Sequence, residues 1–307
     1  MSKIKYIDKC VRANTIELIE LSNNIIEDFQ ARGYELTLRQ LYYQLVGRDL
    51  IPNTDKSYKV LGTAISTGRL IGLVDWDAIV DRTRVRSRQP SWNSPAEILD
   101  VAARQYRVDL WQGQEYRVFV WVEKEALSGV IARACEADAI QADYIACRGY
   151  MSQSTIWREA QNLIKVWEND QIPVILHLGD HDPSGIDMTR DNIKRLSLFS
   201  ELEEGIDFIV ERIALNIHQV NARNLPPNPT KLSDSRASGY ITQYGRSSWE
   251  LDALDPDVLV ELIRNHARNY IDPQVWAKRR QLQDEQRQAL KKIAEQFNNH
   301  PLNEETA

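Results

Sequence analysis

Between Tyr116 and Ile213 the chain alternates short apolar runs with amphipathic stretches of helical period, and few folds accept that pattern. Tyr116-Arg-Val-Phe-Val-Trp-Val122 and Pro173-Val-Ile-Leu-His-Leu178 are almost continuously apolar, as strands covered on both faces must be. Further short strands are expected near Tyr144–Cys147 and Phe208–Ile213. Helical stretches run to about Glu136, then over about Ser154–Asn169 and Gly185–Phe199. Strand and helix in strict alternation make a parallel sheet crossed by helices. Residues 111–307 are therefore expected to form an α/β domain. Its later part holds a loop-rich stretch, Leu225–Gly245, and a short strand or turn at Trp249–Leu254. Two helices close it, at about Asp257–Tyr270 and Pro273–Asn298.

Residues 1–110 have a different texture. An amphipathic helix is expected over about Arg12–Arg32, with Ile16, Ile19, Leu21, Ile25, Ile26 and Phe29 as its apolar stripe and Gly33 as its stop. Thr37 with Gln40 forms a capping box that opens a second helix, Leu38–Val46. A third helix covers about Asp55–Leu73. Arg82-Thr-Arg-Val-Arg-Ser-Arg88 follows, and on a strand Arg82, Arg84, Arg86 and Arg88 share one face. That face reads either as an edge strand guarded by charge or as a ribbon that tracks DNA phosphates. Three helices and then a basic strand fit a winged-helix module. Ser94-Pro-Ala-Glu97 starts one more helix, to about Asp109, with a cap, Pro at its first position and Glu at its third.

The 307 residues suit two domains, and 43% hydrophobic content can supply two cores. No apolar run approaches the ~18–20 residues of a membrane span. The N-terminus lacks the apolar core of a signal peptide, and Cys10, Cys135 and Cys147 show neither disulfide nor metal spacing. These features point to the cytoplasm and away from membranes. The net charge of −6 argues against a generic nucleic-acid coat, but the charge is unevenly spread. Residues 1–110 hold 16 Lys/Arg and 14 Asp/Glu, while residues 111–307 hold 22 and 30.

Two acidic clusters fall just beyond expected strand ends, where ligands bind in open parallel sheets. One is Glu123-Lys-Glu125. The other is Gly179-Asp-His-Asp-Pro-Ser-Gly185. Asp180 and Asp182 in a Gly/Pro-bounded turn can converge on a hard cation such as Mg²⁺, with positions left for phosphate. Glu123 can complete the site or serve as general acid/base. The plainer alternative is that the aspartates cap the next helix. His177 and His181 are of a type that binds transition metals. Alternation turns His181 away from its neighbours and His177 lies within a strand, so both read as structural.

In the helix opened at Thr37, Leu38, Leu41, Tyr42 and Leu45 form the buried stripe. Tyr43 lies about 100° further round and shares a face with Arg39, four residues earlier. An Arg beside a phenol stabilises its phenolate and can hold a phosphate next to it. An activated tyrosine oxygen is a competent covalent nucleophile.

These residues resemble a known family. Glu123, with Asp180 and Asp182 in Gly-Asp-x-Asp-Pro-x-Gly, resembles the Toprim domain shared by topoisomerases, primases and some nucleases. Thr37-Leu-Arg-Gln-Leu-Tyr-Tyr43 resembles the Arg-Asp-Ile-Tyr-Tyr signature of the topoisomerase VI A subunit and its meiotic double-strand-break relative. Arg148-Gly-Tyr150 resembles the Gly-Tyr turn between these motifs, and Glu250-Leu-Asp-Ala-Leu254 the late Glu-Ile-x-Ala-Leu segment. Together they span about residues 35–255 in the family's order. Gln40 stands where the family has Asp, and the Gly-Tyr turn continues Met-Ser-Gln where the family has Pro-Asp.

The resemblance implies a winged-helix domain over 1–110 and a Toprim domain with a helical extension over 111–307. It implies a homodimer on double-stranded DNA in which one protomer's tyrosine meets the other's metal site. Tyr43 would attack a phosphodiester and become linked to the 5′ phosphate, as in a type IIB topoisomerase A subunit. Arg39 would position the phosphate, Asp180 and Asp182 would hold Mg²⁺, Glu123 would ligate it or move a proton, and Glu250 is a further candidate for the site. The chain has no Gly-x-x-x-x-Gly-Lys-Ser/Thr loop, so an ATPase would come from a B-type subunit in trans, or the chain is a shortened relative that cleaves alone. Two alternatives stand beside this reading. One is a hydrolytic Toprim nuclease with a structural Tyr43, and the other is a DNA-binding module without catalysis.

Overall fold

A computed structural model describes residues 3–80, 91–136, 139–200 and 206–299. The chain is a mixed α/β protein whose centre is a four-stranded parallel sheet flanked by helices. The strands are β1 (Tyr116–Val122), β2 (Asp143–Ala146), β3 (Ile172–Leu178) and β4 (Ile209–Ala214), in the order β2-β1-β3-β4. β1 and β3 are the inner pair, in register from Tyr116↔Ile172 to Val122↔Leu178. Their continuous apolar runs follow from this position. Val118, Val120 and Val122 enter one core, while Phe119 and Trp121 enter a second on the opposite face.

Three helices precede the sheet: α1 (Ala13–Ala31), α2 (Leu38–Gly47) and α3 (Asp55–Leu70). Ile19, Ile25, Ile26 and Phe29 are the buried apolar stripe of α1. The Thr37/Gln40 capping box forms as expected: the Thr37 hydroxyl accepts from Gln40 N, and Gln40 Oε1 accepts from Thr37 N at 2.9 Å. After α3 the chain makes only isolated bridge contacts, Lys5↔Ile71 and Leu36↔Ile79, up to residue 80. Arg82, Arg84, Arg86 and Arg88 lie outside the described residues.

The next helix, α4 (Pro95–Gln105), has the expected Ser94 cap. It lies against the helix that closes the chain. Just past it, Tyr106 donates its hydroxyl to Gln286 at 2.5 Å, and Val108 N donates to Gln283 at 3.1 Å. Both partners sit on the closing helix, which spans Pro273–Asn299.

Helices α5 (Ser128–Ala134), α6 (Gln153–Trp167) and α7 (Pro183–Ser200) connect the strands. α5 covers one face of the sheet, and α6 with α7 covers the other. The first face has no seam toward the N-terminal helices, because Phe29, Leu41, Tyr42 and Tyr43 belong to the same buried cluster as Val122 and Leu178.

The stretch expected as loop between Leu225 and Gly245 is more ordered than its composition suggests. After α8 (Ile217–Arg223), Asn228–Pro229 pairs antiparallel with Ser247–Ser248, and α9 (Ala237–Tyr244) lies between them. Ser and Gly weaken α9 intrinsically. Tertiary contact offsets this: Tyr240 is buried, donates its hydroxyl to the His181 carbonyl at 2.8 Å and stacks edge-on against the His181 ring. Helices α10 (Pro256–Arg268) and α11 (Pro273–Asn299) end the described chain. No helix among the described residues is long and apolar enough to cross a membrane.

Candidate active site at the carboxyl ends of β1 and β3

Because Val122 and Leu178 are register partners, the chain leaves both strands side by side. Glu123 N donates to the Leu178 carbonyl at 2.9 Å, and Asp180 N donates to Glu123 Oε2 at 2.8 Å. The turn is so tight that glycine is required at Gly185, where a Cβ would sit 2.2 Å from the Asp180 carbonyl oxygen; at Gly179 a Cβ would crowd only the side-chain ends of Glu123, at 3.0 Å, and Arg212, at 3.2 Å. Asp182 Oδ1 accepts from Gly185 N at 2.6 Å and Ser184 Oγ at 3.0 Å, so one of its oxygens does cap α7.

Arg212 of β4 clamps this turn from below. It donates to the carbonyls of Gly179 (2.9 Å), Asp180 (2.6 Å) and Gly185 (2.9 Å) and to Thr189 Oγ1 (2.9 Å). No spacing in the sequence singles it out, since one Arg in a short strand reads as an edge charge. The Arg148-Gly-Tyr150 turn lies alongside, with Gly149 N donating to the Glu123 carbonyl at 3.3 Å and Tyr150 donating to Asp187 at 2.6 Å.

A second acidic pair joins the first through Lys124. Its ammonium bonds Asp180 Oδ1 at 2.9 Å, Asp252 Oδ2 at 3.3 Å and the Glu250 carboxylate. Asp180 Oδ1 also accepts from Leu251 N at 2.7 Å. Arg39 reaches the same pair from α2, with Nε 3.1 Å from Asp252 Oδ2 and Nη2 bonded to Glu250. Lys124 and Asp252 therefore belong to the site, although their setting in short charged runs reads as solvated surface.

Burial sets the protonation tendencies. It pushes Glu123 and Asp180 up from the usual carboxylate range, with Lys124 opposing the shift in both. Glu250 is half-buried, which would raise it, yet Lys124 and Arg39 hold its carboxyl down at about 2. Lys124 is raised despite burial because Asp252, Asp180 and Glu250 surround it.

Tyr43 is brought to this set by α2. Its ring packs edge-on against Tyr42 with centroids 5.2 Å apart, and the Arg39 guanidinium lies 5.7 Å from the ring centre. The shared face expected from their spacing is therefore present. Tyr43 is only 5% exposed, and burial pushes its phenol up to about 12. Two asparagines tie the neighbouring tyrosines together. Tyr42 donates to Asn53 Oδ1 at 2.9 Å, Asn53 Nδ2 donates to Asn228 Oδ1 at 2.8 Å, and Asn228 Nδ2 donates to the Tyr43 oxygen at 3.3 Å. A donor on the phenol oxygen favours the phenolate.

Tyr43, Arg39, Glu250 and Asp182 line one cleft of about 700 Å³, together with Lys231 and Arg236 from the arm around α9. Glu123 and Asp180 do not line this cleft; they join the set through the Asp180 N–H bond to Glu123 and the Lys124 bridge to Glu250. His181 takes no part in the acidic cluster. It is 1% exposed and pairs its ring with the Tyr240 hydroxyl at 2.7 Å. His177 is equally buried, with Nδ1 2.8 Å from Thr189 Oγ1 and Nε2 without a partner among the described residues. Burial lowers the imidazole of each, to about 3 for His177 and about 4 for His181.

The donor set fits a hard divalent cation in chemistry. Glu123, Asp180 and Asp182 each keep one carboxylate oxygen that no hydrogen bond engages among the described residues, and Asp252 Oδ1 is buried without a partner. The three carboxylates are not drawn together into a ready ligand cluster, and none of three or more His, Cys, Asp or Glu exists among the described residues. No protein-family model matches the chain, and no curated protein matches it.

Proposed function

We propose that the protein cleaves double-stranded DNA by Mg²⁺-dependent tyrosine transesterification, in the manner of a type IIB topoisomerase A subunit. The observation that carries this reading is the single cleft lined by Tyr43, Arg39, Asp182 and Glu250. The Tyr43 oxygen forms a bond to phosphorus and the P–O3′ bond breaks, leaving a 5′-phosphotyrosyl link and a 3′ hydroxyl. The phenol gives up one proton and the departing 3′ oxygen takes one up, so no oxidant or energy source is needed. Asn228 donates to the phenol oxygen, and Arg39 lies beside the ring to hold phosphate. Glu123, whose carboxyl burial raises, is the better proton acceptor, while Glu250, kept ionised by Lys124 and Arg39, is a weak base and contributes charge that orients those two cations. Glu123, Asp180 and Asp182 would hold Mg²⁺, which supplies charge stabilisation at a phosphoryl oxygen.

In this reading the three N-terminal helices belong to a winged-helix domain on DNA, and Arg82, Arg84, Arg86 and Arg88 neutralise backbone phosphates. Two copies act together to break both strands, in the cytoplasm, and resealing with strand passage draws on a B-type ATPase in trans. The test is a denaturing gel of end-labelled DNA incubated with wild type and with Tyr43→Phe. Wild type should give a protein–DNA adduct that survives denaturant, needs Mg²⁺ and is absent from the variant. One observation favours a hydrolytic Toprim nuclease instead: Tyr43 is 5% exposed and its phenol resists ionisation. Cutting by Tyr43→Phe with free 5′ ends would select that second reading.

A further inference from the structure

We propose, on the transesterase reading, that Asn53 and Asn228 form a one-way amide relay that presents a fixed hydrogen-bond donor to the Tyr43 oxygen. Asn228 is then a catalytic residue, and Asn53 is a positioning residue that acts through it.

Both asparagines sit in loops stiffened by proline. Asn53 follows Pro52 and precedes the Thr54 cap of α3, and Asn228 stands between Pro227 and Pro229. Proline fixes its own φ and restricts the residue before it, so little backbone freedom remains at Asn228. Its pairing with Ser248 removes more.

One backbone carbonyl sets the direction of the relay. Asn53 Nδ2 lies 2.9 Å from the Pro227 carbonyl oxygen, which can only accept. That end of Asn53 is therefore its NH₂ group, and the second proton goes to Asn228 Oδ1 at 2.8 Å. Asn228 then turns its own NH₂ group to the Tyr43 oxygen, at 3.3 Å. The two tyrosines are adjacent in sequence and packed edge-on, yet they hold opposite roles. Tyr42 donates its proton, to Asn53 Oδ1 at 2.9 Å and the Thr54 carbonyl at 3.2 Å. Tyr43 accepts, and among the described residues none takes its proton.

A donor on the phenol oxygen stabilises the charge that appears there as the proton leaves. Aligned amides polarise one another, and a donor already in place needs no reorganisation at the moment of reaction. Asn228 neither gives up nor gains a proton. The phenol proton still goes to a base, and the bonds made and broken are those of the transesterification. Arg39 lies 5.7 Å from the centre of the Tyr43 ring, but its guanidinium is bonded to Glu250 and Asp252. Among the described residues Asn228 is thus the one group hydrogen-bonded to the Tyr43 oxygen.

The test is a double-mutant cycle. Adduct formation is followed in single turnover, at saturating end-labelled DNA with Mg²⁺, for wild type, Asn228→Ala, Asn53→Ala and the double variant. Asn228→Ala should slow it about tenfold, the low end for one hydrogen bond to a charged group, because 3.3 Å is long. Asn53→Ala should slow it less, since Asn228 remains but can present either end of its amide. In the Asn228→Ala background, Asn53→Ala should have no further effect. A loss below about threefold in Asn228→Ala, or an Asn53→Ala effect of equal size with and without Asn228, overturns the proposal and leaves the transesterase reading intact. A loss that disappears at saturating DNA also overturns it, because the asparagines would then act in binding alone. If Asn228→Ala does not fold, the near-isosteric Asn228→Leu takes its place in the cycle, and a wild-type rate in Asn53→Ala by itself refutes the relay. If wild type forms no adduct, the transesterase reading itself has failed, and this inference with it.

Discussion

Lys124→Met tests whether the acidic cluster is held together by an internal cation. The ammonium of Lys124 lies 2.9 Å from Asp180 and 3.3 Å from Asp252 and bonds Glu250, and its side chain is 16% exposed. Methionine keeps most of the apolar stem, so the change removes charge with little loss of packing. Glu250 and Asp252 retain Arg39, whereas Asp180 is left with the Leu251 N–H as the remaining donor to its carboxylate. Breaking a buried pair by removing one partner costs about 3–5 kcal/mol. Because one carboxylate out of three loses its only cation, the lower end applies, about 3 kcal/mol. For a chain of this size that corresponds to a fall in Tm of roughly 6–12 °C.

Thermal and urea denaturation in EDTA would read the loss. Repeating the melts with Mg²⁺ separates cause from consequence, since a cation that replaces the ammonium restores stability by mass action, about 2.7 kcal/mol at 100 times its Kd. A loss below about 1 kcal/mol in EDTA would refute the reasoning, because that is the scale of an exposed pair.

Two other perturbations follow from the same geometry. Gly185→Ala, which in an ordinary helix interior gains about 1 kcal/mol, should here destabilise by at least about 2 kcal/mol, because its Cβ would meet the Asp180 carbonyl oxygen at 2.2 Å; a variant as stable as wild type in urea would sink the idea. Glu250, held down at about 2 against 4.5 for the free group, stabilises the fold above pH 4.5, and that contribution is lost as pH falls toward 2. The fold should therefore lose up to roughly 3 kcal/mol more in that window than Glu250→Gln does, and parallel pH–stability curves for the two proteins would contradict the assignment.

The strands were legible because burial on both faces leaves a signal that loops cannot mimic. β1 begins and ends where its apolar run does, and β3 starts one residue early. The α2 cap was legible because Thr37 and Gln40 satisfy two backbone donors by side chains alone. The acidic turn was legible as two carboxylates after a strand, but not what surrounds it. Lys124 lies in Glu-Lys-Glu and Asp252 in Glu-Leu-Asp, and such runs usually face solvent. Only the convergence of β1, β3 and the turn after Trp249 makes them internal. Arg212 was hidden for the same reason, since its two Nη groups find their acceptors only once the β3–α7 turn and Thr189 close over them. Helix α9 was missed because its propensity is poor and its stability comes from the contact of Tyr240 with His181, about 60 residues earlier.

The charge of the site bears on how an acidic chain can meet DNA. Glu123, Asp180, Asp182, Glu250 and Asp252 gather around Arg39, Lys124 and Arg212. Five carboxylates against three cations leave two negative charges when all are ionised. One divalent cation, if Glu123, Asp180 and Asp182 hold it as proposed, would balance that excess, and a bound ion would be the largest local charge there. Without the ion, burial favours protonation of Glu123 and Asp180, which removes the same excess by another route. On the proposed function, the surplus acid of residues 111–307 would then be partly a demand for a cation and not a uniform repulsion of nucleic acid. DNA affinity should then rise with Mg²⁺ in wild type and lose that dependence in Asp180→Asn, as filter binding at constant ionic strength would measure; an equal Mg²⁺ response in both proteins would mean the ion acts on the DNA alone.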